Sequence, residues 1–183
     1  MNYPFILKFS SIQNLSDARY AAGMWADFIG FNFDPGTESY LDPNKAKEII
    51  GWVSGPVFVG EFGQQPPEWI EDFVASFQLK TIQIPSNYNY DLPKKEGVKW
   101  IVSSNGEEKT ELMQEADLIL TYSLNDYERL KMHYNVPVIL QTEDWSTDAS
   151  NLDGLALEGK KEDKPGTSNQ ADWTDFLEPY QGD

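Results

Sequence analysis

Short apolar runs alternate along this chain with segments whose apolar residues recur at helical spacing. FILKF runs into SDARYAAGM, where Leu15, Ser16 and Asp17 offer a hydrophobic staple, an N-cap and an early acid. DFIGFNF is followed by DPNKAKEIIGWV, with Asp42 as cap and Pro43 at the first helical position. PVFVGEF leads into PPEWIEDFVASF, whose Trp69, Phe73 and Phe77 recur every four residues along one face. These three aromatics and Trp52 read as packing core. TIQIP leads into SNYNYDLPKKEG, which has no helical period. VKWIVSS precedes EEKTELMQEA, and DLILTYS precedes NDYERLKMHY. VPVILQTE precedes the short, turn-rich WSTDASN; DGLALEG is the last apolar run, and ADWTDFLEPY follows it.

This pattern places eight strands, at Phe5, Phe28, Val57, Thr81, Trp100, Leu118, Val138 and Leu155. Regular alternation of strand and helix implies parallel pairing through right-handed crossovers. Eight repeats favour an α/β fold of the TIM-type (βα)8 class, with an open parallel sheet as the alternative. At 183 residues the barrel must be trimmed, because such barrels usually need about 200 residues or more. The weak segments after strands 4 and 7 are where helices are short or missing. No linker or low-complexity tract divides the chain, so residues 1–183 are expected to form one domain, with QGD frayed at its end.

Composition narrows the function classes. The sequence carries 14 Lys+Arg against 30 Asp+Glu, a formal net charge of -16. So acidic a protein is not expected to bind nucleic acid or an anionic membrane, which require basic stripes. The absence of Cys excludes disulfides, thiolate nucleophiles and thiolate metal sites. No apolar run reaches signal-peptide or membrane length, so a cytoplasmic protein is the expectation. No metal or cofactor is expected. His133 is the only histidine and reads as surface or capping, and Glu143 with Asp144 is too small a set for a cation.

In an α/β barrel, chemistry gathers at the C-terminal ends of the strands. The polar residues there are Lys8, Ser10 and Ser11; Asn32 and Asp34; Glu61; Gln83; Ser103 and Ser104; Thr121 and Ser123; Gln141, Glu143 and Asp144; and Glu158, Lys160 and Lys161. Their order along the chain resembles phosphoribosylanthranilate isomerase, the (βα)8 enzyme of tryptophan biosynthesis. That family opens K-I-C-G-I-T…D-A…G-A-D…G-F-x-F-x-P-x-S-x-R-x-V-x-P. Lys8, Ile12, Asp17-Ala18, Ala26-Asp27, Gly30-Phe31, Phe33, Pro35, Tyr40 and Pro43 fall in register with it. FVGEF is similar to the family's V-G-V-F, TIQIP to V-Q-L-H, and DGLALEGKKEDKPG to D-V-S-S-G-V-E-x-x-P-G, with Gly159 and Pro165-Gly166 kept.

The resemblance implies an Amadori rearrangement, with a Cys base ending the first strand and an Asp acid ending the sixth. Here Ser10 stands at the base position and Thr121 at the acid position, while Asp126 reads as a surface or cap residue. The glycine after the base is Ser11, the family's arginine is Ser39, and its histidine is Pro85, although Gln83 remains. The G-G-T-G loop after strand 6 is absent. Strand 7 ends in Gln141-Thr142-Glu143-Asp144 where the family cradles a phosphate, and strand 8 ends in Glu158-Gly159-Lys160-Lys161. The ligand-binding candidates are therefore Lys8, Asn32, Ser39, Gln83, Gly159 and Lys160, for a small phosphorylated or carboxylated ligand. Three readings follow: an isomerase with substitute catalysts, a family member that lost the reaction and binds or regulates, or another enzyme using Glu61, Glu143 or Glu158 as base. Simultaneous loss of acid, base and phosphate loop favours the second.

Overall fold

The computed structural model describes residues 3–104, 106, 108–159 and 170–182. Eight parallel strands close on themselves in sequence order: β1 (Ile6–Ser10), β2 (Phe28–Asn32), β3 (Val57–Glu61), β4 (Thr81–Pro85), β5 (Lys99–Ser103), β6 (Leu118–Thr121), β7 (Val138–Gln141) and β8 (Gly154–Glu158). β8 returns to β1 in a register running from Ile6 opposite Gly154 to Ser10 opposite Glu158. That register sets Ser10 and Glu158 side by side at one end of the barrel.

Helices α1 (Leu15–Gly23), α2 (Pro43–Trp52) and α3 (Pro67–Phe77) follow the first three strands. α4 (Thr110–Glu115), α5 (Leu124–His133) and α6 (Gln170–Leu177) follow β5, β6 and β8, and a 3-10 turn, Glu178–Tyr180, succeeds α6. No helix follows β4 or β7 among the described residues. After β7, Asp144 Oδ1 accepts from the Ser146 amide and Asp148 Oδ1 from the Ser150 amide. Such local side-chain acceptors hold the backbone in turns and compete with helix formation.

The caps follow the sequence with one correction. Asp42 caps α2 through the amides of Asn44 and Lys45, and Ser123 caps α5 through Asp126. For α1 the cap is Asn14 rather than Ser16: Asn14 Oδ1 accepts from the Asp17 amide and its Nδ2 donates to the Asp17 carboxylate. Asn14 takes both roles because its amide carries an acceptor and a donor, which a hydroxyl of Ser16, already inside the helix, cannot supply to the first turn.

Two apolar layers result. Val59, Ile101, Leu118, Leu120, Ile139 and Ala156, from five strands, pack together inside the barrel. The larger layer lies between strands and helices, where Phe33 meets Phe73 and Phe77 of α3 at centroid distances of 4.6 and 5.2 Å. Trp52, expected in the core, is 70% exposed at the end of α2 with the Arg19 guanidinium over its ring. Its place at the last turn, past the residues that face the sheet, leaves it on the surface. Among the described residues no helix is long and apolar enough to cross a membrane.

Candidate functional site

Alternation along β1 turns Leu7 and Phe9 to the helix layer and Lys8 and Ser10 inward. Lys8 is fully buried, and its ammonium donates to Glu61 Oε1 of β3 and to Ser10 Oγ at 2.6 Å. The pair fits because Gly30 of β2 faces it: a Cβ there would lie 1.8 Å from Glu61 Oε1 and 3.1 Å from Lys8 Nζ. The second Glu61 oxygen accepts from the Ser11 amide at 3.0 Å and from its hydroxyl at 3.2 Å. Ser11 has φ +53°, a left-handed backbone that glycine adopts freely and serine does not. The carboxylate of Glu61 thus anchors a strained turn and neutralises a buried charge at once.

The network continues across the barrel. Ser10 Oγ donates to Gln141 Oε1 at 2.9 Å, and Gln141 Nε2 donates to Glu158 Oε2 at 3.2 Å. Burial lifts the Glu158 carboxyl above its ordinary value, with Glu61 and Glu143 adding to the rise and Lys8 and Gln141 opposing it. Above this network opens a cavity of about 310 Å³, lined among others by Ser10, Asn32, Ser39, Gln83, Gln141 and Glu158.

The predicted residues are distributed unevenly about that cavity. Asn32 and Ser39 line it and satisfy each other: Asn32 Nδ2 donates to Ser39 Oγ at 2.8 Å, while Asn32 Oδ1 takes the Asp34 amide. Gln83 lines it with its Oε1 lacking any hydrogen-bond partner. Lys8 lies beneath the cavity, committed to Glu61 and Ser10. The Gly159 amide donates to the Ser10 carbonyl at 2.8 Å, and a Cβ at Gly159 would lie 3.0 Å from both Ile12 Cδ1 and the Ser11 carbonyl oxygen. Lys160 and Lys161 lie outside the described residues. Asp126 is a partly exposed residue of the first turn of α5 that pairs with Arg129 at 3.0 Å, and His133 bonds the Arg129 carbonyl at the end of α5.

Thr121 is buried at 1% exposure, its hydroxyl without a partner, and does not line the cavity. Leu118 and Leu120 face the barrel interior, so period two turns Thr121 toward the helix layer and Tyr122 toward the mouth. Tyr122 is the lining residue that strand-end reasoning passed over. Removal of its hydroxyl from water, with Glu61 nearby, pushes it up to about 12, against a hydrogen bond to Ser103. Inward-outward parity, counted from Leu118, was the signal for it.

Comparison with known proteins places this arrangement. The chain is 38% identical over 84 residues to the N-(5'-phosphoribosyl)anthranilate isomerase of Desulfitobacterium hafniense (strain DSM 10664 / DCB-2), covering 44% of this chain and 35% of that protein. It is 33% identical over 90 residues to the enzyme of that name from Thermotoga maritima, covering 49% and 44%. Over part of its length this chain is similar in sequence to phosphoribosylanthranilate isomerases. The matches span less than half the length of these curated relatives, and no family model matches. The fold agrees over far more of the chain. A phosphoribosylanthranilate isomerase in complex with reduced 1-(o-carboxyphenylamino)-1-deoxyribulose 5-phosphate superimposes with a TM-score of 0.76 at 23% identity, over 95% of this chain and 97% of that one. The Pyrococcus furiosus isomerase gives 0.70 at 18%, over the same shares.

The amides after β7 and β8 are engaged within the chain. Here the Thr142 amide donates to the Ala156 carbonyl, the Asp144 amide to Thr142 Oγ1, and the Ser146 amide to Asp144. With the Gly159 amide taken by Ser10, these four donors point into the protein's own acceptors.

Proposed function

We propose that this chain is a phosphoribosylanthranilate isomerase-like barrel that no longer catalyses the isomerisation and acts by binding a small molecule, as a ligand-holding or partner protein. The observation that carries this reading is the state of Ser10. Its hydroxyl accepts from the Lys8 ammonium and gives its own proton to Gln141. Such a group has neither the basicity of a thiolate nor a neighbouring base to take its proton. Loss of a general base alone removes about 10²- to 10⁴-fold in rate.

Two further features support it. The sixth strand offers Thr121, buried and turned from the cavity, and Tyr122, which stays protonated at neutral pH and is a weak acid at best. The relative with a bound 5-phosphate holds an anion, whereas the amides after β7 and at Gly159 are engaged internally here. A phosphate at this end would face Glu158 and Asp34 across the same cavity.

The test is direct. Purified protein should not isomerise phosphoribosylanthranilate above the uncatalysed rate, and its gene should not rescue a tryptophan-requiring strain that lacks the isomerase. Turnover or rescue at a level comparable to a working isomerase overturns the reading.

A further inference from the structure

Helix α2 carries a stripe that the barrel does not cover. Lys45, Glu48, Ile49 and Trp52 recur at i, i+3, i+4 and i+7, so they share one face of that helix. Ile49 is buried, and with Leu15 of α1 it lines a groove of about 280 Å³ between the two helices. Trp52 lines the same groove, yet it is 70% exposed, more than any other aromatic side chain among the described residues. The Arg19 guanidinium stands 5.9 Å from its ring centroid. Tryptophan and arginine are among the residue types most enriched where binding energy concentrates. An exposed ring does not by itself name an occupant, but the charges beside it do. Lys45 and Glu48 are both exposed and stand one turn apart on the stripe. Neither belongs to an ion pair among the described residues. An acidic partner would satisfy Lys45 and set Glu48 against like charge, and a basic partner would do the reverse. A two-fold rotation satisfies both, because in antiparallel helices residue 45 of one meets residue 48 of the other, twice.

We propose that the α1–α2 face docks a second copy of this chain, α2 against α2 across a two-fold axis, with Lys45 facing Glu48 at two symmetric places. Each Trp52, about a turn and a half past the axis, then covers the Lys45 end of the facing groove. The overall charge selects this face over others. At a formal net charge of -16, two copies repel in most orientations. Around this groove Arg19 and Lys45 outnumber Glu48, so the repulsion is relieved locally. The Trp52 anchors supply affinity, while the crossed charges fix the antiparallel register. One helix pair is small beside the about 800 Å² per partner of a standard interface, so the dimer is weak, with a dissociation constant on the order of tens of micromolar. The contact is independent of what the barrel mouth binds.

Sedimentation equilibrium of the full chain, from about 5 to about 500 µM at about 0.15 M salt, tests this. A monomer–dimer equilibrium is expected. Trp52→Ala and Lys45→Glu should each weaken it about tenfold or more. Glu48→Lys should weaken it too, although that change lowers the net negative charge and would tighten a non-specific contact. Lys45→Glu combined with Glu48→Lys restores the pairing in reverse, and should return the constant to within about threefold of the parent. A monomer at every concentration overturns the proposal. So does a dimer that Trp52→Ala leaves unchanged, that Glu48→Lys tightens, or that the charge swap fails to rescue. The three substituted positions are exposed, and circular dichroism of each variant confirms folding.

Discussion

The ammonium of Lys8 and the carboxylate of Glu61 meet inside the barrel with side chains 0% and 6% exposed. Glu61, within FVGEF, supplies the partner of this buried lysine from β3. Removing one member leaves an uncompensated charge in the core, whereas removing both leaves an apolar pair of similar size. Glu61→Val should therefore destabilise by about 3–5 kcal/mol, and the double variant Lys8→Met with Glu61→Val should recover most of that loss. Denaturant midpoints of the parent, Glu61→Val and the double variant check it. A double variant no more stable than Glu61→Val would show that the lysine is not the origin of the cost.

Ser11 gives a second prediction, because its strain and its hydrogen bonds pull in opposite directions. At φ +53° a Cβ is unfavourable, yet the hydroxyl reaches Glu61 Oε2. Ser11→Gly relieves the first and loses the second, keeping the amide bond to Glu61, and should stay within about 1 kcal/mol of the parent. Ser11→Ala keeps the strain, loses the hydroxyl, and should fall below both. Chemical unfolding that ranks alanine above glycine would contradict the assignment.

Thr121, the residue expected at the acid position, hides an unpartnered hydroxyl from water. Thr121→Val keeps the shape and removes that hydroxyl, so it should be neutral or stabilising by about 1 kcal/mol. Thr121→Asp buries a charge facing the helix layer and should destabilise severely without producing isomerase activity. Thermal unfolding and a turnover assay on the two variants decide between a buried spectator and a displaced catalyst.

Two carboxylates should respond to pH with opposite sign. Glu108 is held below its ordinary value chiefly by hydrogen bonds from Arg129, and Ser104 adds a further one. A lowered carboxyl releases its proton more readily in the fold, so its contribution is present above the unfolded value, near about 4.3, and is lost as pH falls through the folded one. Glu108→Gln should be less stable than the parent at pH 7, by no more than about 1 kcal/mol since Arg129 is 41% exposed, and indistinguishable from it in acid. Glu158, raised by burial, does the reverse: the fold keeps its proton longer, and stability declines as pH rises from the unfolded value through the folded one. Glu158→Gln should thus gain stability at pH 7 and show no gain in acid. Unfolding curves across this range read both.

The strand-helix alternation, the places where helices fail after the fourth and seventh strands, and the strand-end positions of Lys8, Asn32 and Gln83 are already written in the linear pattern. Those are local matters of period, turn chemistry and spacing, and they survive translation into structure because each element forms from neighbouring residues. Closure of the barrel was legible only as a preference, since pairing of β8 with β1 joins residues nearly the whole chain apart. The site was legible as a set of strand ends but not as an arrangement. Which side of each strand faces inward is settled by the packed interior, and it brought Tyr122 to the mouth in place of Thr121. Partners in a buried ion pair are chosen by proximity across β1 and β3, not by sequence distance, so Lys8 and Glu61 could not be paired beforehand. Only folding shows that Ser10 is bonded on both sides and that the amides of Thr142, Asp144, Ser146 and Gly159 are met within the chain. These are facts of directional hydrogen bonding among residues up to 148 positions apart, from Ser10 to Glu158, where a linear pattern carries no direction.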